Sequence, residues 1–225
     1  MKRATRVLLL PVILAPSPAW ATDWELRTVQ TVNHQLASPV ADSVATFLTN
    51  PLVTGGSVLL VAAGGSPRYY ETAATGLVAE GVGVGIAEGL KIVTNRPRPY
   101  LVDPTLRTPA GREPDSSFPS GHTTVAFAAA TVVALDRPNL APWSLGFATL
   151  VGFSRIYEGV HYPTDVLAAA ALGALTAGGV VWGRNYLQSR GWLPVPPDDH
   201  SLAAASLTPP AGELAPPVVL FARHF

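Results

Sequence analysis

Residues 118–135 of the chain read FPSGHTTVAFAAATVVAL. Ser120 is a favoured N-cap residue, because its side-chain oxygen can accept a hydrogen bond from the first free N–H groups of a helix. The Ala- and Val-rich run that follows is long for a strand and does not alternate polar and apolar residues. The stretch therefore predicts a helix over His122–Leu135 that is capped by Ser120.

Outward from this helix, four more segments of helix length are rich in Ala, Val, Leu and Gly. They are Val40–Ala63, Glu71–Val93, Trp143–Ile156 and Asp165–Trp182. No sustained stretch shows the period-two alternation that is typical of a half-buried strand. The sequence predicts an all-α fold, a bundle of about five or six core helices with the functional site at helix ends.

The second of these segments carries small and acidic residues inside an apolar pattern. Gly81, Gly85 and Gly89 recur every four residues, so we expect them to share one helix face where a neighbouring backbone approaches closely. Glu80 and Glu88 are expected to be buried polar groups in helix packing or to line a cavity.

Composition excludes several classes of protein. Charged residues make up only 13% of the chain, against about 25% in a typical soluble domain. The net charge is zero, so no overall field favours a nucleic-acid partner. Without cysteine the chain has no disulfides, thiolate metal sites or thiol catalysis.

Both ends of the chain differ from the middle. A basic start, a short apolar run and Ala19-Trp20-Ala21 predict a signal peptide over residues 1–21, with an uncleaved first membrane helix as the alternative. Residues 188–225 are read as a Pro-rich tail, because proline does not continue a helix. The domain between them is expected over residues 22–187, either embedded in the inner membrane, which the low charge favours, or as a soluble periplasmic bundle.

Charge is concentrated in one stretch. Five of the six charged residues from Lys91 to Arg112 are basic, and they are Lys91, Arg96, Arg98, Arg107 and Arg112. Guanidinium groups match phosphate oxygens bidentately, so the stretch indicates an anion site, with a solvated loop as the alternative. The free N–H groups after Ser120 would add donors, and Gly121 permits close approach beside His122.

A third motif runs from Ser154 to Asp165. His161 and Asp165 are four residues apart across the expected start of a helix. The carboxylate could accept a hydrogen bond from one ring nitrogen and leave the other nitrogen as a base, as in a catalytic triad. A histidine–aspartate pair that only caps the helix is the alternative.

Together the motifs resemble the type 2 phosphatidic acid phosphatase and vanadium haloperoxidase superfamily. Its pattern is K-x6-R-P, then P-S-G-H, then S-R-x5-H-x3-D, and every spacing matches in this sequence. The resemblance implies that His161 is the nucleophile, Asp165 its orienting partner and His122 the acid and base. It further implies a phosphate-binding set made of Lys91, Arg98, Ser120, Gly121 and Arg155.

The resemblance implies a phosphatase that needs no metal or other cofactor and forms a phosphohistidine. The expected substrate is a lipid phosphate, such as phosphatidate, phosphatidylglycerol phosphate or a polyprenyl diphosphate, at a site that faces the periplasm. A soluble acid phosphatase for small esters, a vanadate-dependent haloperoxidase and a non-catalytic bundle are the alternatives. Arg96, Arg107 and Arg112 match no defining position and are read as ordinary loop residues, with attraction of an anionic substrate or a lipid headgroup as the alternative.

Overall fold

The computed structural model describes residues 22–197 of the chain. The predicted signal peptide and residues 198–225 of the Pro-rich tail lie outside the described residues. Within the described part every regular element is helical, which confirms the all-α prediction. The helices are α1 (Asp23–Gln35), α2 (Pro39–Leu48), α3 (Pro51–Gly56), α4 (Pro67–Thr94), α5 (Pro99–Val102), α6 (Gly121–Asp136), α7 (Ala141–Tyr157) and α8 (Pro163–Ser189).

The prediction of one helix over Val40–Ala63 is wrong. The segment is broken into α2, α3 and a 3₁₀ helix over Ser57–Gly64. Pro51 has no N–H to donate, and its ring disfavours a helical conformation of Asn50. The Asn50 side chain instead accepts a hydrogen bond from the Leu52 N–H at 2.9 Å, which starts α3 afresh.

Helix α6 lies at the centre of the bundle and packs on α4, α7 and α8. Buried Ala128 and Val132 of α6 contact Ala79 of α4 and Ala177 of α8. At Gly173 of α8 an added Cβ would lie 2.5 Å from the carbonyl oxygen of Thr124, so the backbones of α6 and α8 nearly touch. Small residues therefore set the helix spacing, and large apolar side chains point outward.

The glycine row in α4 does not serve the packing that we expected. No atom would lie within 4 Å of a Cβ built at Gly81, Gly85 or Gly89, so these glycines face away from the bundle. The buried face of α4 carries Gly83 and Ala87 instead. Residues two positions apart in the sequence are separated by about 200° around the helix axis. The glycine row therefore lies almost opposite the buried face.

Contacts between helix ends fix the direction of the core helices. The start of α6 lies beside the end of α4, since a Cβ built at Gly121 would be 3.7 Å from the Lys91 ammonium nitrogen. The same start lies beside the end of α7, where Gly152 meets Thr123. Consequently α4 and α7 run antiparallel to α6 and bring their C-terminal ends to its N-terminal end.

The outer face of the bundle is apolar. Val82 and Ile86 of α4, Leu150 of α7, and Leu167 and Leu175 of α8 are all exposed. Among residues 22–197, α8 is the one helix whose length and hydropathy suit a membrane crossing.

Candidate active site

The eight residues that the motifs singled out lie at or beside helix ends on one side of the bundle. They are Lys91 in the last turn of α4, Arg98 before α5, Ser120, Gly121 and His122 at the start of α6, Arg155 in the last turn of α7, His161 before α8, and Asp165 in its first turn. A cavity of about 260 Å³ opens there, lined in part by Lys91, Gly121 and His122.

A carboxylate that the motifs did not predict lies among these residues. Oε2 of Glu113 is 2.6 Å from Nη2 of Arg98, and Oε1 accepts a hydrogen bond from Nη2 of Arg155. Burial alone would raise the pKa of Glu113, but the positive charges of Arg155 and Arg98 outweigh burial and hold that pKa below its usual value. Two guanidinium groups therefore bind an anionic side chain at this place.

Both histidines lie next to this carboxylate. Nδ1 of His122 is 3.9 Å from Oε1 of Glu113, and Nε2 of His161 is 4.0 Å from Oε2. An anion at this place has one imidazole near each of two oxygens. The geometry can thus combine a nucleophile with a separate acid or base around one anion.

The partners of His161 define its tautomer. Nδ1 is 2.7 Å from the carbonyl oxygen of Ser117, which can only accept a hydrogen bond. Nε2 is 3.1 Å from Nη1 of Arg98, which can only donate one. The proton is therefore assigned to Nδ1, and the lone pair of Nε2 faces the arginines and Glu113.

The charge state of His161 suits a nucleophile. The side chain is fully buried. Burial lowers the pKa of His161 well below its usual value, and the charges of Arg98 and Arg155 lower it further. The imidazole is consequently neutral at neutral pH, with its Nε2 lone pair directed at Nη1 of Arg98.

Asp165 does not make the hydrogen bond to His161 that the spacing predicted. Its Oδ2 lies 3.6 Å from Nδ1 of His161, whereas the Ser117 carbonyl is at 2.7 Å. Oδ2 is instead 2.9 Å from the Tyr162 backbone N–H, which it caps at the start of α8. Asp165 thus places a negative charge beside the His161 ring, and the Ser117 carbonyl fixes the orientation of that ring.

Arg96 is not the ordinary loop residue that we expected. Only 6% of it is exposed, and its Nη1 lies 2.5 Å from Oδ1 of Asp165. Nη2 lies 3.0 Å from Oε2 of Glu25 in α1, and the guanidinium stacks 4.2 Å from the Tyr162 ring centroid. Arg96 therefore ties α1 to the aspartate behind His161.

Arg155 and Lys91 also have acidic partners. Nη1 of Arg155 is 2.6 Å from the fully buried carboxylate of Glu158, whose other oxygen accepts from the Thr49 hydroxyl at 3.0 Å. Burial raises the pKa of Glu158, against the opposing charge of Arg155. This pairing holds the guanidinium of Arg155 in place.

Lys91 donates to Glu88 at 2.9 Å and to Asp115, which also accepts from Arg98 at 2.5 Å. Burial opposes ionisation of Asp115, but the hydrogen bonds from Lys91 and Arg98 lower its pKa to about 2. Glu80 is buried, which is the first of the two positions that we expected. Glu88 is exposed and lines the cavity, which is the second.

Ser120 caps α6 as predicted. It is fully buried, and its side-chain oxygen accepts from the Thr123 N–H at 3.4 Å and from the Thr123 hydroxyl at 2.9 Å. The two remaining arginines of the basic stretch lie away from the centre. Arg107 pairs with Asp42, and Arg112 lies over the Tyr100 ring.

Sequence reasoning missed the acidic residues of the site, Glu25, Glu113, Asp115 and Glu158. The motifs specify cations and histidines, and nothing in their spacing says which carboxylates neutralise them. The only available indication was that so many arginines in a chain poor in charge need counter-charges.

A family model described as the PAP2 superfamily matches residues 72–189, which include every predicted site residue. The chain belongs to the PAP2 superfamily. This membership confirms the resemblance that the three motifs indicated. Its match ends at Ser189, the last residue of α8.

Two PAP2 relatives and one solved structure set the scale of similarity. Undecaprenyl-diphosphatase BcrC of Bacillus subtilis strain 168 is 32% identical over 147 residues, or 64% of this chain and 74% of that protein. Bacitracin transport permease protein BcrC of Bacillus licheniformis is 40% identical over 85 residues, 38% of this chain and 42% of that protein. The crystal structure of Aquifex aeolicus LpxE gives a TM-score of 0.60 at 25% identity, covering 71% of this chain and 96% of that one.

The match thus spans less than half of the B. licheniformis protein and about three quarters of the B. subtilis one. The B. subtilis relative is named as a diphosphatase, an enzyme that hydrolyses a diphosphate.

Proposed function

We propose that this PAP2 protein is a metal-independent phosphatase for lipid phosphates or diphosphates that works through a phosphohistidine at His161. The observation that carries the proposal is the position of Glu113. Its carboxylate is held by Arg98 and Arg155, and ring nitrogens of His122 and His161 lie 3.9 and 4.0 Å from it. A phosphoryl group at this place would meet every group that its transfer requires.

In the first step, Nε2 of His161 attacks phosphorus and forms the P–N bond. The bond between phosphorus and the leaving oxygen breaks, and His122 gives that oxygen a proton. The Ser117 carbonyl accepts the hydrogen bond from Nδ1–H throughout, and Asp165 offsets the positive charge that grows on the ring.

In the second step, His122 takes a proton from water as the water oxygen attacks phosphorus. The P–N bond breaks, inorganic phosphate leaves and His161 regains its lone pair. Lys91, Arg98 and Arg155 hold the equatorial oxygens in both steps, with the Gly121 amide and the Ser120 hydroxyl at the start of α6. Three fixed cations thus supply the electrostatic stabilisation of the transition state.

Two features support a lipid substrate. An apolar cavity of about 640 Å³ lies between α3, α6 and α7, lined by residues such as Val53, Ala126 and Phe147. Thr54 and Val125, which line the active-site cavity, are the chain neighbours of Val53 and Ala126. An acyl or prenyl chain could occupy the apolar cavity while its phosphate reaches the arginines.

The apolar outer face supports a place in the inner membrane with the active site toward the periplasm. Exposed Leu167 and Leu175 would face lipid along α8, and a soluble monomer rarely carries an apolar face of that extent. A soluble periplasmic location is the competing arrangement.

The activity is tested by measuring phosphate release from three lipids: polyprenyl diphosphate, phosphatidate and phosphatidylglycerol phosphate. p-Nitrophenyl phosphate is the small ester used for comparison. The purified full chain should turn over at least one lipid in EDTA and be inhibited by orthovanadate. The His161→Ala variant should lose turnover, while His34→Ala, at an exposed histidine of α1, should keep it.

Loss of activity in EDTA, or turnover by His161→Ala at the wild-type rate, would contradict the proposal. Preference for p-nitrophenyl phosphate, with the protein released from membranes by carbonate, would favour the soluble acid phosphatase instead. Halogenation of a reporter with vanadate, peroxide and bromide would favour the haloperoxidase.

A further inference from the structure

Glu113 belongs to none of the three motifs, yet it occupies the centre of the site. It lies in the segment between α5 and α6, with 30% of its side chain exposed. Its two oxygens take one Nη2 group each from Arg98 and Arg155. These are the donors that the proposed function assigns to the phosphoryl oxygens.

One donor cannot serve two anions at full strength. If Arg98 and Arg155 are to grip a phosphoryl group beside His161 and His122, the Glu113 carboxylate has to leave that place. Asp115 reinforces the competition on the other side, where it accepts from Lys91 and from Arg98. Every phosphate-binding cation is thus paired with a carboxylate of the segment 113–115.

The backbone around Glu113 is anchored, whereas its side chain has room to turn outward. The Glu113 carbonyl accepts a hydrogen bond from the Tyr100 hydroxyl, and the Asp115 carbonyl accepts from Nε of Arg98 at 2.9 Å. The neighbouring Gly111 and Arg112 are exposed. Exchange between carboxylate and phosphate therefore requires rotation of the Glu113 side chain, which itself lines the cavity.

We propose that Glu113 is an internal competitor: its carboxylate occupies the phosphoryl position, so that every phosphoryl ligand binds more weakly and the inorganic phosphate product, which has no apolar chain to hold it, is released. The inference rests on the proposed function. Any phosphoryl ligand binds only in proportion to the time that Glu113 is turned out, and a lipid substrate offsets this loss with the affinity of its chain. The returning carboxylate also helps to expel the inorganic phosphate product.

Glu113→Gln is the direct test, because it keeps the size of the side chain and removes its charge. Binding of orthovanadate and inorganic phosphate to the full chain is measured by calorimetry, and product inhibition by phosphate is measured with a lipid substrate. If Glu113 fills the position nine-tenths of the time, the variant should bind both anions about tenfold more tightly. The Ki of phosphate against the lipid substrate should fall by the same factor.

Asp103→Asn is the matched control, since Asp103 is an acid of the same connecting region that pairs with Gln30 and Thr105. It should leave both affinities at the wild-type value. Glu113→Ala repeats the test with the whole carboxyl group removed, and helical circular dichroism checks the fold of each variant.

Equal anion affinity in wild type and in both folded Glu113 variants would overturn the inference, as would weaker binding in the variants. Neither result would touch the proposed function, provided that wild type binds vanadate and turns over lipid. If no protein in the series binds vanadate, the proposed function itself fails, and this inference fails with it.

Discussion

The two ring nitrogens of His161 have different partners, and this difference sets its chemistry. The Ser117 carbonyl accepts a hydrogen bond from Nδ1–H, while Arg98 faces the Nε2 lone pair. Burial and two guanidinium groups keep the ring neutral by lowering its pKa. A sequence motif can name the histidine, but its tautomer depends on a backbone carbonyl 44 residues away.

The lowered pKa of His161 predicts a pH effect on stability. In the unfolded chain the ring titrates near pH 6.5, whereas in the fold it stays neutral to a much lower pH. Protons then bind the unfolded state preferentially, so this group costs about 1.4 kcal/mol of stability for each pH unit below 6.5. The melting temperature of wild type should therefore fall more steeply between pH 6.5 and 5.5 than the melting temperature of His161→Gln.

Other groups titrate alike in both proteins, so the difference in slope isolates His161. His34→Gln serves as the control and should follow wild type. Parallel curves for wild type and His161→Gln would show that the ring is not buried as described.

His122 is expected to protonate the leaving oxygen, so its loss should depend on the leaving group. A lipid alkoxide needs that proton, and its release by His122→Ala should slow by roughly 10²–10⁴-fold. Nitrophenolate leaves without a proton, so the first step with p-nitrophenyl phosphate should survive. Stopped-flow traces should then show a burst near one nitrophenolate per chain, followed by slow turnover. Equal loss on both substrates, without a burst, would contradict this role.

At the scale of helices, α1 is joined to the site by one buried guanidinium. Arg96 binds Glu25 of α1 and Asp165 of α8. Arg96→Met would leave two carboxylates without their buried partner and should lower the free energy of unfolding by about 3–5 kcal/mol. Adding Glu25→Gln should recover part of that loss, while Arg27→Met, at an exposed site on α1, should cost little. Denaturant titrations measure these three variants and Glu25→Gln alone, and a fully additive double variant would argue against the coupling.

Helix spacing gives a second prediction at this scale. A Cβ at Gly173 would lie 2.5 Å from the Thr124 carbonyl oxygen and 2.8 Å from the Ala128 nitrogen, and both atoms are backbone. Gly173→Ala should therefore cost about 1–3 kcal/mol. Gly178 meets nothing within 4 Å, so Gly178→Ala should gain up to about 1 kcal/mol through helix propensity. Equal melting temperatures for Gly173→Ala and Gly178→Ala would contradict the α6–α8 contact.

Apolar periodicity predicted helices α4, α6, α7 and α8 but gave no information on which faces meet. Hence the glycine row of α4 was assigned to packing, although the contact is made at Gly173 of α8. The break at Pro51 was visible in the sequence but was overridden by the apolar run around it. Helix α1 was missed because it is largely polar and is held by Arg96 and by packing under Tyr100 and Tyr162.

Across the whole molecule, the antiparallel core helices bring four helix ends to one place. The eight residues of the motifs lie there together. The carboxylates that balance the cations could not be predicted, since any acid within reach of the folded site satisfies the charge. Glu113 in particular is recognisable only from its position between Arg98 and Arg155.

The account as a whole rests on one phosphoryl group passing between His122 and His161. The most direct measurement is to mix the full chain with substrate, stop the reaction in alkali and map phosphopeptides by mass spectrometry. We predict phosphate on His161, accumulation of that species in His122→Ala and none in His161→Ala. Phosphate on another residue, or turnover by His161→Ala at the wild-type rate, would contradict the account.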